Sequence, residues 1–250
     1  MQNDIQANGG YDPTTEGILQ NNELPIFLVV DYSYSMAIPK TKIGQVNEGA
    51  RRVLDFLKND LDDPKTKPMF ACLKFSDSAE WVNKQNPYAE ADSFVWQDID
   101  ADAGTHFGAA CVELRKVLVP KNEGGWLAGR KSCLKPVIVV MSDGQSAPYT
   151  NELNELKKRG WFGKSMKFGI AIGSDADKQM LIDFTGNPEY VYDTDQFASK
   201  SLADIIKIIV QQSSVISVTT DTDDNDAQDN AAQNIRDTLN GAPGLGEEQP

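Results

Sequence analysis

Histidine is nearly absent from this 250-residue chain, where His106 is the only one. Cysteine is scarce as well. Cys72, Cys111 and Cys133 are odd in number and form no CxxC pair. A zinc site or a disulfide framework is therefore disfavoured, and the thiols read as small buried side chains in a reducing compartment. Long hydrophobic runs are missing. The longest, 25–30 and 136–141, have strand length and fall far short of the ~20 apolar residues that span a bilayer. Residues 1–22 are polar, without the apolar stretch of a secretory leader, so the expected location is cytoplasmic. No Walker A string and no GxGxxG occurs, and His106 has no nucleophile context from which a Ser/His/Asp triad follows.

Positive charge is also in short supply. The chain has 24 Lys and Arg against 37 Asp and Glu, a net charge of −13. Such a surface cannot neutralise phosphates broadly, so neither nucleic acid nor an anionic membrane is expected as a partner. More than half of the net charge lies in 219–250, where eight acids face one base, Arg236. With few large apolar residues to offset ordering, 218–250 reads as an acidic disordered tail. A calcium-loop reading that starts at Asp221 fails, because Asp226 stands where a glycine is needed and Ala232 where a glutamate is needed. Residues 1–22 read as a flexible arm, which leaves 23–217 as the folded domain.

What is present in that domain is alternation. Residues 24–30 (LPIFLVV) form a continuous β-rich run that suits a strand buried on both faces. Over 42–61, Ile43, Val46, Ala50, Val53, Leu54, Leu57 and Leu61 follow helical spacing. Residues 69–75 read as a strand with a hairpin partner at 78–82, and 94–96 as a short edge strand. Helix 105–118 comes next, then a Gly-rich loop at 120–134 whose Trp126 is a candidate partner contact. Strand 136–141, helix 151–159, strand 166–172, helix 176–184, strand 190–192 and helix 197–210 complete the series. The pattern predicts an α/β, doubly wound, mainly parallel sheet flanked by helices, with one antiparallel edge strand.

The candidate chemistry sits at the element ends. Asp31, Ser33 and Ser35 follow the first strand, Thr105 opens a helix, and Asp143 follows the strand 136–141. In a parallel sheet the carboxyl ends of the strands share one rim, and ligands bind outside it where strand order reverses. Loops leaving adjacent strands there bring their polar groups together. The set is oxygen only, which suits a hard cation such as Mg²⁺, with Mn²⁺ or Ca²⁺ as alternatives, and not copper or zinc. In an extended loop, D-x-S-x-S sends Asp31, Ser33 and Ser35 to one side and Tyr32 and Tyr34 to the other. That string alone is unspecific. Its position after the first buried strand, with Thr and Asp at later boundaries, carries the signal. Ser174, Asp175 and Asp177 read as a helix start with acids in its first turn rather than as a second cation site.

These segments resemble the von Willebrand factor A domain. Residues 24–36 (LPIFLVVDYSYSM) are similar to its first strand and metal loop, 103–110 (AGTHFGAA) to the loop carrying the threonine, and 136–144 (PVIVVMSDG) to the strand and loop carrying the second aspartate. The resemblance covers about 22–215. Within the family the likeness is to the bacterial tellurium-resistance TerY-like group, through Leu24-Pro25, the 46–49 helix start (VNEG) and the 134–136 lead-in (LKP). It implies a metal-ion-dependent adhesion site in which Ser33 and Ser35 ligate directly. Thr105 ligates directly or through water, and Asp31 and Asp143 act mostly through water. It further implies a non-enzymatic module for stress response or defence, docking an acidic group of a protein partner, sometimes beside a kinase and a phosphatase. A metal-assisted phosphatase or nuclease and a metal-free scaffold are the alternatives. The enzyme reading needs several carboxylates on the metal or a base, and neither is evident.

Overall fold

The structure, a computed structural model, describes residues 22–37, 41–61, 66–129, 132–219 and 224–241. The N-terminal arm expected at 1–22 lies outside these residues except for Asn22, which begins the first strand.

In chain order the elements are β1 (Asn22–Asp31), α1 (Thr41–Asn59), β2 (Thr66–Phe75), β3 (Ala79–Trp81), β4 (Ala89–Glu90), α2 (Phe107–Val117) and β5 (Val137–Ser142). They continue with α3 (Thr150–Lys157), α4 (Gly160–Lys164), β6 (Met166–Ala171), α5 (Gln179–Thr185), β7 (Val191–Asp193), α6 (Leu202–Thr219) and α7 (Asp224–Leu239). One sheet holds all the strands in the order β3-β2-β1-β5-β6-β7, with the two-residue β4 also on β2. β1 pairs in parallel with β2 and with β5, and β6 and β7 continue in parallel. β3 and β4 run antiparallel along the outer side of β2.

β1 is buried from Leu24 to Asp31 because it lies between two strands and two helical layers. Its side chains alternate between them, as strand geometry requires. Leu24, Ile26, Leu28 and Val30 join a core with Val46, Ala50 and Val53 of α1, Ile205, Ile206 and Ile209 of α6, and Ala231 and Ile235 of α7. Phe27 and Val29 join the opposite core with Phe107, Cys111 and Leu114 of α2, Leu153 and Leu156 of α3, and Leu181 and Phe184 of α5. The strand connection leaves β1 toward β2 on one side, and the chain later returns to β5 on the other. The switch point therefore falls between β1 and β5, and that gap positions the site.

Three expectations change. Residues 94–96 form no strand. Phe94 is buried with its ring edge-on to Phe70 at 4.8 Å, so packing rather than pairing uses it. Trp126, expected in a loop as a partner contact, is half-buried against Trp81 and Tyr88, with ring centroids at 4.4 and 5.7 Å, so part of its indole is used in internal packing.

The third change is in the acidic tail expected at 218–250, where 224–239 is the helix α7. Ala227, Ala231, Ala232, Ile235 and Leu239 are buried on one stripe. The Gln228 side chain donates to Lys167 O at 2.7 Å, and Tyr190 donates its hydroxyl to Asp229 Oδ1. Arg236 pairs with Glu189. These contacts lie at the starts of β6 and β7, on the rim opposite the carboxyl ends of the strands.

Candidate metal centre

Asp31 is the last residue of β1 and is fully buried. Its Oδ1 accepts the Ser33 amide at 2.8 Å, and its Oδ2 accepts the Ser142 hydroxyl at 2.6 Å. Ser142 ends β5, so the two central strands are joined side chain to side chain at their tips. Burial pushes the Asp31 carboxyl above the usual carboxylate range. The bonds from Ser142 and Ser33 counter this only in part, and the Asp143 charge adds to the rise.

The loop after Asp31 is not extended throughout. Residues Tyr34–Ala37 form a 3-10 turn, with the Met36 amide donating to Ser33 O at 3.0 Å. The turn brings Ser33 Oγ and Ser35 Oγ to 3.0 Å from each other. Ser35 donates onward to Asp143 Oδ1 at 2.7 Å. Tyr32 and Tyr34 do face elsewhere. The Tyr32 ring lies under Lys74 Nζ at 4.7 Å, and Tyr34 is 64% exposed beside the site.

Thr105 is brought to the same rim by its backbone. Ala103 O accepts the Tyr34 amide at 2.9 Å, and Thr105 O accepts the Ala147 amide at 2.8 Å. The His106 amide donates to Ser76 O at 2.7 Å, and the Gly104 amide to Asp77 Oδ1 at 3.1 Å. The loop is thus pinned to those following β1, β2 and β5. Ala103 adopts a left-handed φ of 63° to make the corner. Ser146 Oγ accepts the Phe107 amide at 2.7 Å and so caps the first turn of α2. Among the described residues the Thr105 hydroxyl has no hydrogen-bond partner, unlike the other four site side chains. His106 lies over the start of α2, its Nε2 3.0 Å from where a side chain on Gly108 would stand.

One site residue escaped the sequence reading. Lys42, in the first turn of α1, donates from Nζ to Asp143 Oδ2 at 2.6 Å, and Asp175 Oδ1 stands 3.6 Å from the same nitrogen. Burial alone lowers an ammonium's pKa. The Asp143 carboxylate bonded to Lys42, with Asp175 behind it, more than offsets that and raises it. Asp177 accepts the Gln179 amide at 2.9 Å at the start of α5, as expected for an acid opening a helix.

Among the described residues no group of three or more His, Cys, Asp or Glu is placed to hold a metal ion. The candidate donors are instead two hydroxyls and a carboxylate in contact, with a second carboxylate buried behind them. Adjacent oxygens of a Mg²⁺ octahedron stand about 2.9 Å apart, from metal–oxygen lengths of about 2.0–2.1 Å. The Ser33–Ser35 separation of 3.0 Å matches that edge, and the Asp143 carboxylate accepts from Ser35 at 2.7 Å, one step behind it. The donor set fits a small hard divalent cation.

A mainly parallel sheet with helices on both faces and a polar cluster at its switch point defines an α/β domain of doubly wound type. The family model for the von Willebrand factor type A domain matches residues 26–208, and the chain belongs to that family. Proximal thread matrix protein 1 from the mussel byssus superposes with a TM-score of 0.55 at 19% identity, over 76% of this chain and 48% of its own. A second structure of that protein, described as having a zinc-occupied MIDAS motif, gives 0.52 at 18%, over 76% and 47%. A von Willebrand factor type A protein from Catenulispora acidiphila gives 0.51 at 13%, over 87% and 43%. The chain thus spans less than half the length of these proteins, and at such identities the likeness is one of fold. A search of curated proteins returns no match.

Proposed function

We propose that this chain is a metal-ion-dependent protein-interaction module whose Asp31, Ser33, Ser35, Thr105 and Asp143 hold one Mg²⁺. The observation that carries this reading is the contact chain Ser33–Ser35–Asp143 at the rim of β1 and β5, with Asp31 clamped behind it. Neutral hydroxyls next to the ion leave it electrophilic, while the two aspartates compensate its charge. An Asp or Glu of a partner protein then completes the coordination. The mussel protein with zinc at its MIDAS motif supports a divalent ion in this fold. The all-oxygen donor set favours Mg²⁺ over zinc here.

The module is not an enzyme in this reading. The carboxylate bonded to Ser35, that of Asp143, is itself paired with Lys42, which makes it a poor base. The sequence likeness to the tellurium-resistance TerY-like group suggests a role in bacterial stress response or defence, with a kinase or phosphatase of the same system as the partner. Among the described residues no helix is long and apolar enough to cross a membrane. Cys72, Cys111 and Cys133 are all free thiols, which supports a cytoplasmic setting.

The test is a metal titration joined to a pull-down. Mg²⁺ or Mn²⁺ binds the wild type in calorimetry and fails to bind Asp31→Ala. Partner capture survives in Mg²⁺ and is lost in EDTA. Capture that ignores both EDTA and Asp31→Ala refutes the reading.

A further inference from the structure

Lys42 is the part of the rim that the metal site leaves without a task, and the role inferred for it rests on the metal reading. Three segments build a seat for its ammonium. The first turn of α1 supplies the lysine. The loop after β5 supplies Asp143, whose side chain is 1% exposed. The loop after β6 supplies Asp175, whose side chain is 81% exposed. That last loop also makes room for the lysine stem. Gly173 turns with a left-handed φ of 95°, and a side chain on it would stand 3.1 Å from Lys42 Cε and 3.4 Å from Nζ. A side chain at 173 would therefore press on the lysine stem and shift it by a few tenths of an ångström, as well as strain the left-handed turn. The ammonium at the end of the stem bridges a buried carboxylate and a solvated one.

Both Asp143 oxygens are committed, Oδ1 to Ser35 and Oδ2 to Lys42. A divalent ion at Ser33 and Ser35 draws on the same carboxylate charge that the ammonium already neutralises. Two cations sharing one buried carboxylate repel with little solvent between them, so each weakens the hold of the other.

We propose that Lys42 is an internal counter-cation that competes with the divalent ion for Asp143, and that Asp175 is its alternative seat. Ion binding is then coupled to movement of the ammonium from Asp143 toward Asp175. The Lys42–Asp175 pair sets the ion concentration at which the site fills. Asp175 lowers the cost of filling it by receiving the displaced charge at the surface.

The experiment is a Mn²⁺ titration by calorimetry of four full-length chains: wild type, Lys42→Met, Asp175→Asn and the double variant. Lys42→Met binds Mn²⁺ about tenfold or more tightly than wild type, as expected when a cation in contact is removed. Asp175→Asn binds about threefold to tenfold more weakly than wild type, but within about twofold of its parent when Lys42 is already Met. Equal affinity of wild type and Lys42→Met overturns the proposal and leaves the metal site standing. An Asp175→Asn effect that persists in the Lys42→Met chain overturns the alternative seat. Absence of Mn²⁺ binding in all four chains overturns the metal reading and this proposal with it.

Lys42→Met leaves Asp143 buried without its ammonium, so its melting temperature in EDTA falls. Mn²⁺ raises that temperature by more than it raises the wild type's. Lys42→Gln keeps a donor to Asp143 without the charge, and shows the same tightening if the methionine chain does not fold.

Discussion

Ser142 donates its hydroxyl to Asp31 Oδ2 at 2.6 Å, across 111 positions of sequence, and so ties the tips of the two central strands. In the proposed site Ser142 would act indirectly, through Asp31 and through the Gly144 amide it accepts at 3.2 Å, whereas Ser35 Oγ faces Ser33 and Asp143 directly. Ser142→Ala should lower stability by about 1–2 kcal/mol in urea melts, since it strips a donor from a buried carboxylate. It should weaken Mn²⁺ binding less than Ser35→Ala does. Equal losses of affinity would place Ser142 among the ligands instead.

The pH response of Asp31 follows from its raised pKa. A carboxyl whose folded pKa exceeds its ordinary value of 3.8 contributes stability below that value and loses it as pH rises through the folded pKa. In metal-free buffer, the stability of Asp31→Asn relative to wild type should therefore increase from about pH 4 upward. Chemical denaturation of both chains at several pH values between acid and neutral measures it. A difference that is flat with pH would show that Ser142 and Ser33 fully compensate the burial.

The Thr105 loop turns its corner on Ala103, a non-glycine at φ 63°. Ala103→Gly should stabilise the protein by about 0.5–1 kcal/mol, because glycine takes that conformation without the steric penalty on Cβ. Gly104→Val should weaken Mn²⁺ binding, since a Cβ at 104 would stand 2.5 Å from Asp77 Oδ1 and displace the carboxylate that accepts the Gly104 amide. Urea melts and the Mn²⁺ titration read both.

Helix α7 makes a direct contrast with a disordered tail. Ile235 is fully buried in the core with α1 and α6, and Ile235→Ala should cost about 2–4 kcal/mol in a urea melt. A change under about 0.5 kcal/mol, the level of a surface substitution, would mean that α7 is not docked in solution.

Thiol reactivity offers a check on the core. Burial pushes the Cys133 thiol up to about 12 and the Cys72 and Cys111 thiols higher still. At pH 8 only about one Cys133 in ten thousand is thiolate, the reactive form. Native protein should resist a thiol reagent at that pH, and denatured protein should react at all three cysteines.

The sheet was legible in the sequence because its signals are local. The run at 24–30 suited a doubly buried strand, and its end placed Asp31, Ser33 and Ser35 on the rim. The partners of those residues were not local. Lys42 reads as an ordinary solvated lysine opening a helix, and its bond to Asp143 depends on how α1 lies over the rim. In α7 the signal existed, with Ala227, Ala231, Ile235 and Leu239 four residues apart. Small alanines carry little hydropathy, and the acids Asp221, Asp223, Asp224 and Asp226 just before them, with Asp229 and Asp237 among them, outweighed the spacing. Phe94 was read as a strand residue from its neighbours, yet what it needed was the face of Phe70.

The placement of β1 has one more consequence. Asp31, Ser33 and Ser35 hang from a strand hydrogen-bonded on both sides, and Asp143 from its neighbour. Thr105 hangs from a loop held at a few single points. In the proposed site the rim would act as a vice with one jaw set by paired strands and the other by loop contacts. Substitutions of side chains at 101–106 would then retune its grip while leaving the strand pairing of the other side in place. Changes at 31–35 or 142–143 alter the vice itself.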